Sequence, residues 1–360
     1  MLLAVVTGAA ATMLSYAGGG DTGLLSGTAR VMAVLILAFF LQIIIHEGGH
    51  LVFGLLTGYT FSSFRILSLI FKKVNGRIAV RKLTLSGTAG QCLMGPPELV
   101  DGKIPYVLYN LGGVLMNLIS AAVSALVCLL LGNAGKSWYF FAVLAMTGIY
   151  LALTNGIPFG GGAVPNDGYN ALNLGRDPEA VSAFWKQLKI SQQQSEGIRL
   201  KDMPDEWFSP GEGADPGDLM TATLIVFDEN RDMDSGRFGD ALEKIRMLTS
   251  DGITIPPLHR ALLENDAVFI DVLENGKEAD TSPIKEGKTA GILKQMKGYP
   301  AVIRTEYAIA SLVQEDLAAA DSAIKAFEKA AKSYPNEVEI ESERELIRLV
   351  DDKRSGADIQ

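Results

Sequence analysis

The chain has 360 residues, 48% of them hydrophobic, and a formal net charge of −9. Residues 1–166 hold nine Lys/Arg against four Asp/Glu, a formal +5, and residues 167–360 hold 23 against 37, a formal −14, so two different materials join near residue 170. The acidic second half argues against nucleic acid or anionic lipid as its partner, and two cysteines, Cys92 and Cys128, are too few for a disulfide framework or a Cys-type zinc site.

Four stretches of the first half are almost free of charge: 1–20, 31–58 apart from Glu47, 106–135 and 137–166. A membrane-spanning helix needs about 20 apolar residues to cross roughly 30 Å of hydrocarbon. The pattern predicts about four transmembrane helices, at about 1–16, 31–57, 106–131 and 138–158. Residues 1–16 lack a basic flank and are read as a retained helix, with a cleaved signal peptide as the alternative.

Between Ser62 and Pro105 lie Arg65, Lys72, Lys73, Arg77, Arg81, Lys82 and Lys103 against only Glu98 and Asp101. The positive-inside rule assigns this connection to the cytoplasm, and with it everything after residue 170. Residues 76–90 carry β-branched content between glycines, which predicts a short strand-containing insertion whose edge could take an extended substrate as an added strand.

The second apolar stretch contains His46-Glu-Gly-Gly-His50. Histidines four apart on a helix project from one face and can share one ion, with Glu47 beside them as the base that activates water. Ionisable residues at membrane depth are costly and mark functional sites. At 1.5 Å per residue, His46 sits roughly 16 Å from the cytoplasmic end of its helix. A catalytic zinc site needs a third protein ligand. The Gly/Pro-rich segment after the fourth stretch, Asn155 to Gly168, supplies one carboxylate, Asp167, at a matching depth; an ordinary Asn-Asp-Gly turn is the bland alternative.

HEGGH in one helix, Gly-Gly-Val-Leu-Met-Asn (Gly112 to Asn117) in the next, and Asn155, Pro158 and Asp167-Gly168 after the fourth together resemble the site-2 protease family of intramembrane zinc proteases. The resemblance covers roughly residues 30–205, including Phe184 to Leu188 and Gly197 to Pro204, which look like bacterial members. It implies that His46, His50 and Asp167 bind Zn2+, that Glu47 is general base and later proton donor, and that Asn117 and Asn155 position substrate. Asn117 also has a plain reading as a helix-packing amide. Two departures stand out: Phe159 to Val164 lengthens the segment before Asp167 with three glycines, and Gly113 replaces a frequent proline.

From Gly217 onward, short amphipathic patterns separated by Gly, Pro and Asp, such as Phe238 to Leu248 and Leu317 to Ala331, predict an α-helical domain that resembles tetratricopeptide-type repeats, a generic helical bundle being the alternative. His259 stands alone beside Pro257 and reads as a surface or packing residue.

The expected protein is mainly α: a polytopic membrane domain over 1–170, a cytoplasmic linker and amphipathic segment over 171–214, and a helical-repeat-like domain over 215–360. Its expected activity is hydrolysis of a peptide bond in or near a transmembrane segment of a membrane-protein substrate within the lipid bilayer of the cell, with a protein partner at the helical domain and no nucleic acid. The alternatives are a catalytically inactive scaffold of the same fold and a metal transporter, which would want more intramembrane polar ligands.

Overall fold

The computed structural model describes residues 24–74, 77–82, 89–132, 138–159, 165–211, 213–253 and 255–356. The expected helix at 1–16, the glycine-rich residues 160–164 and much of the 76–90 segment lie outside them. Among the described residues the chain is mainly helical, with twelve α-helices and four short strands. They fall into two units, one drawn from Met1–Ile66, Ala89–Met94 and Pro105–Arg176, the other from Leu67–Thr88, Gly95–Ile104 and Asp177–Gln360.

The first unit is built on α1 (Leu24–Leu56), α2 (Tyr106–Leu131) and α3 (Trp138–Gly156), which pack against one another. All three are long and apolar enough to cross a membrane. Their burial is inverted relative to a water-soluble bundle. Ile36, Leu37, Leu55, Leu126, Leu129 and Leu130 are exposed, while Gln42, His46, Glu47, His50, Asn117, Ser124 and Thr147 are buried. An apolar exterior matches hydrocarbon, and inside it Gln42 and His46 on α1 bond to Asn117 on α2.

α1 stops at Gly58, whose φ of 89° is in the left-handed region. There the Tyr59 N–H reaches back to the Gly54 carbonyl and the Thr57 hydroxyl caps the Phe53 carbonyl. The chain then enters β1 (Thr60–Ile66), whose neighbour in this unit is β4 (Gly90–Gly95). After α3, the short helix α4 (Asp167–Asn173) completes the unit.

In the second unit, β2 (Leu69–Val74) and β3 (Arg77–Lys82) pair antiparallel, with Leu69 opposite Lys82 and Val74 opposite Arg77. The buried Lys72 ammonium donates to the Pro335 carbonyl and to Asn336, and the Lys82 N–H donates to the Ser333 carbonyl, which tie this hairpin to the turn before the last helix. The helices are α5 (Pro178–Glu196), α6 (Leu219–Ser235), α7 (Phe238–Thr249), α8 (Pro257–Asn275), α9 (Gly287–Gln295), α10 (Pro300–Ala308), α11 (Leu317–Ala331) and α12 (Glu337–Ser355). Aspartates 177, 218 and 316 cap the starts of α5, α6 and α11 with their side chains. One apolar core runs from α6 to α12 and includes Leu248, Phe269, Ile270, Val272, Phe327 and Val350.

Candidate metal centre

The four-residue spacing of His46 and His50 on α1 brings both rings to one face, with centroids 4.9 Å apart and planes at 83°. Asp167 opens α4, and its Oδ2 lies 3.0 Å from His46 Nε2 and 3.5 Å from His50 Nε2, while the two Nε2 atoms are 3.2 Å apart. Among the described residues these three side chains form a group that could hold a metal ion.

Whether they fit a cation depends on where the ring protons are. His50 Nδ1 faces the Tyr109 carbonyl at 2.8 Å, and a carbonyl can only accept, so this nitrogen carries the proton. His46 Nδ1 lies 2.7 Å from Asn117 Oδ1. That oxygen is identified by the rest of the amide: Asn117 Nδ2 donates to the Gln42 carbonyl and to Gln42 Oε1, and Gln42 Nε2 donates to the Leu144 carbonyl and Ser120. With both rings neutral, each Nε2 presents a lone pair toward Asp167 Oδ2, which is buried and accepts no hydrogen bond among the described residues. Three electron-rich atoms at 3.0–3.5 Å then repel unless a cation or a ring proton sits among them. A tetrahedral ion with bonds of about 2.0–2.1 Å has ligand–ligand edges of roughly 3.3–3.4 Å, and two imidazoles with one carboxylate leave its fourth position open. The residues fit a metal ion of that geometry.

Local sequence explains how Asp167 reaches this point. Asn166 caps α4 by accepting the Tyr169 N–H, accepts the Phe159 N–H at the same oxygen, and donates from Nδ2 to the Thr154 and Ile157 carbonyls. The Asn166 N–H returns to the Phe159 carbonyl. One side chain thus clips the start of α4 to the end of α3. Gly168 allows the approach, since a Cβ there would lie 2.1 Å from the Gly156 carbonyl oxygen.

Glycines also admit the metal-facing rings. A Cβ on Gly113 would stand 2.5 Å from His46 Cε1, and one on Gly49 would stand 2.2 Å from the Gly112 oxygen. α1 and α2 cross where neither has a side chain.

Glu47 is buried beside the histidines, with its carboxylate against Gly90, where a Cβ would be 2.5 Å from Oε1. Arg65 on β1 is 1% exposed and donates to the Gly90 carbonyl. Burial lowers its pKa while the charge of Glu47 opposes that shift. Cys92 on β4 is a buried packing thiol, pushed up to about 12 by burial first and by Glu47 second.

The sequence-predicted residues thus divide. His46, His50 and Asp167 come together with Glu47 alongside. Asn117 is fully buried and holds His46. Asn155 bonds back to the Leu151 carbonyl on its own helix. Sequence reasoning missed Gln42, although a polar residue four positions before His46 in an apolar stretch was a visible signal. It also counted Arg65 and Lys72 as loop charges, and both are buried. Comparison with family models, with curated proteins and with solved structures gives no match.

Proposed function

We propose that this chain is an intramembrane zinc metalloendopeptidase of the site-2 protease type. The reading is carried by one observation: His46, His50 and Asp167 bring three potential ligand atoms to one point within a group of apolar helices, with Glu47 beside them. A bound zinc ion at His46, His50 and Asp167 supplies the Lewis acidity that polarises a scissile carbonyl and acidifies water.

The protein's residues do the rest. Glu47 removes the proton of the attacking water and passes it to the departing nitrogen, so no covalent acyl-enzyme forms. Asn117 and the Tyr109 carbonyl keep each ring in the tautomer that leaves Nε2 free. Buried Arg65, bonded to the Gly90 carbonyl, and Gly90 itself fix the wall against which Glu47 rests. A peptide bond inside a helix is shielded by its own hydrogen bonds, so the substrate segment is unwound before attack. The strand order ends at β3, which lies in the 76–90 segment expected from sequence, and at β4, which starts at Gly90 against Glu47; β4 is the edge along which we take an extended substrate to align.

The basic connection between α1 and α2 supports a multi-pass orientation with the second unit in the cytoplasm. There the paired helices α6 to α12 act as a tetratricopeptide-like protein-recognition domain.

The test is cleavage of a co-expressed membrane substrate by wild type and Glu47→Gln, with zinc content measured for wild type and Asp167→Ala. Cleavage lost in the first variant and zinc lost in the second are expected. Equal cleavage by Glu47→Gln overturns the proposed mechanism.

A further inference from the structure

A cavity of about 320 Å³ lies within the second unit among α6, α8, α10 and α12. Its walls carry five carboxylates (Glu229, Asp234, Asp266, Glu339 and Glu343) against two guanidiniums, Arg199 and Arg304. Most of these are already matched. Arg199 pairs with Asp234, Arg304 pairs with Asp266 and Glu343, and Glu339 accepts from the Tyr334 hydroxyl and Asn336.

Glu229 is the exception. It is fully buried, and neither carboxylate oxygen has a hydrogen-bond partner among the described residues. A buried carboxylate without a hydrogen-bond partner costs several kcal/mol, and burial pushes this one well above the usual carboxylate range, with Asp266 adding to the effect and Arg304 opposing it. Natural structures rarely retain such a group without a use.

We propose that this cavity binds a protonated aliphatic amine, with Glu229 as the carboxylate that receives the ammonium. Three features besides charge favour that ligand. Tyr299, Tyr334 and Phe227 line the space, and aromatic faces attract ammonium groups while their rings pack an alkyl chain. The volume suits a slender chain and lies at the small end of ligand pockets, typically ~300–1,000 Å³. An inorganic cation fits less well, because among the described residues the closely spaced ligand group is His46, His50 and Asp167, none of which is here. Asn230, one of the lining residues, is exposed, and we take the way in for a ligand to lie beside it. Two sources share this chemistry: a free polyamine, or the side chain of a lysine on a partner peptide.

The experiment uses the full chain in detergent and equilibrium dialysis with radiolabelled spermidine. Saturable binding near one per chain is expected for wild type. Glu229→Gln, which keeps the side chain's shape, should weaken it at least about tenfold, the loss expected for one charged hydrogen bond. Asn230→Arg places a cation at the mouth from an exposed position that the fold tolerates, and should weaken binding similarly. Competition assigns the source. Displacement by blocked Gly-Lys-Gly but not by blocked Gly-Gln-Gly identifies a lysine side chain, and resistance to both identifies a polyamine. No saturable spermidine binding by wild type, or unchanged affinity in both variants, overturns the inference.

Discussion

The Nδ1 proton of His46 on α1 is donated to Asn117 Oδ1 on α2 across 2.7 Å. The same amide is anchored by Gln42, one turn before His46 on α1. The ring is therefore oriented by a helix other than its own. Replacing Asn117 by Ala removes the acceptor and frees the ring to rotate or change tautomer. Zinc affinity should fall roughly 10- to 100-fold, the usual effect of losing such a partner, as read by competition with a chromophoric chelator. A change in cleavage with zinc affinity intact would instead mean that Asn117 acts on substrate.

The two glycines between the histidines should behave differently. A Cβ at Gly48 meets nothing within 4 Å, whereas one at Gly49 strikes the Gly112 backbone. Gly48→Ala should be neutral or stabilising by about 0.5–1 kcal/mol. Gly49→Ala should separate α1 from α2 and destabilise by about 1–3 kcal/mol. Thermal unfolding in detergent measures both, and equal midpoints would refute the close crossing.

Gly90→Ala tests the wall behind Glu47. The new methyl would collide with the end of a flexible side chain, so folding should survive while Glu47 is displaced. Cleavage is expected to drop on the order of tenfold or more, with zinc content unchanged. Loss of zinc as well would place the damage at the metal ligands.

The second unit should lose stability as pH rises. Burial, opposed by Arg304, raises the Glu343 carboxyl from 4.5 to about 7. An acid whose folded pKa is raised favours the folded state fully below 4.5, and that contribution is lost as pH climbs through 7. The unfolding midpoint should therefore fall between about pH 5 and pH 8, and Glu343→Gln should flatten the fall. A midpoint that rises across this window would show that other groups dominate.

Elements whose cause is local could be read along the chain. Apolar stretches at 106–131 and 138–158 became α2 and α3 almost residue for residue, because length and the absence of charge are properties of the segment alone. Histidines four apart share a helix face for the same reason. Relationships between segments distant in the chain emerge only on folding. Asp167 meets the histidines because Asn166 clips α4 to α3, and nothing in the glycine-rich run before it announces that clip. That Asn117 bonds His46 also emerges only in the fold, since a side chain's neighbours across a helix crossing are not written in its own segment. Arg65 and Lys72, counted as loop charges, are buried because strand pairing and docking took them from water. Periodicity and charge are read along one strand of sequence, whereas a metal site is closed by backbone approach and hydrogen bonds that exist only once the helices have packed.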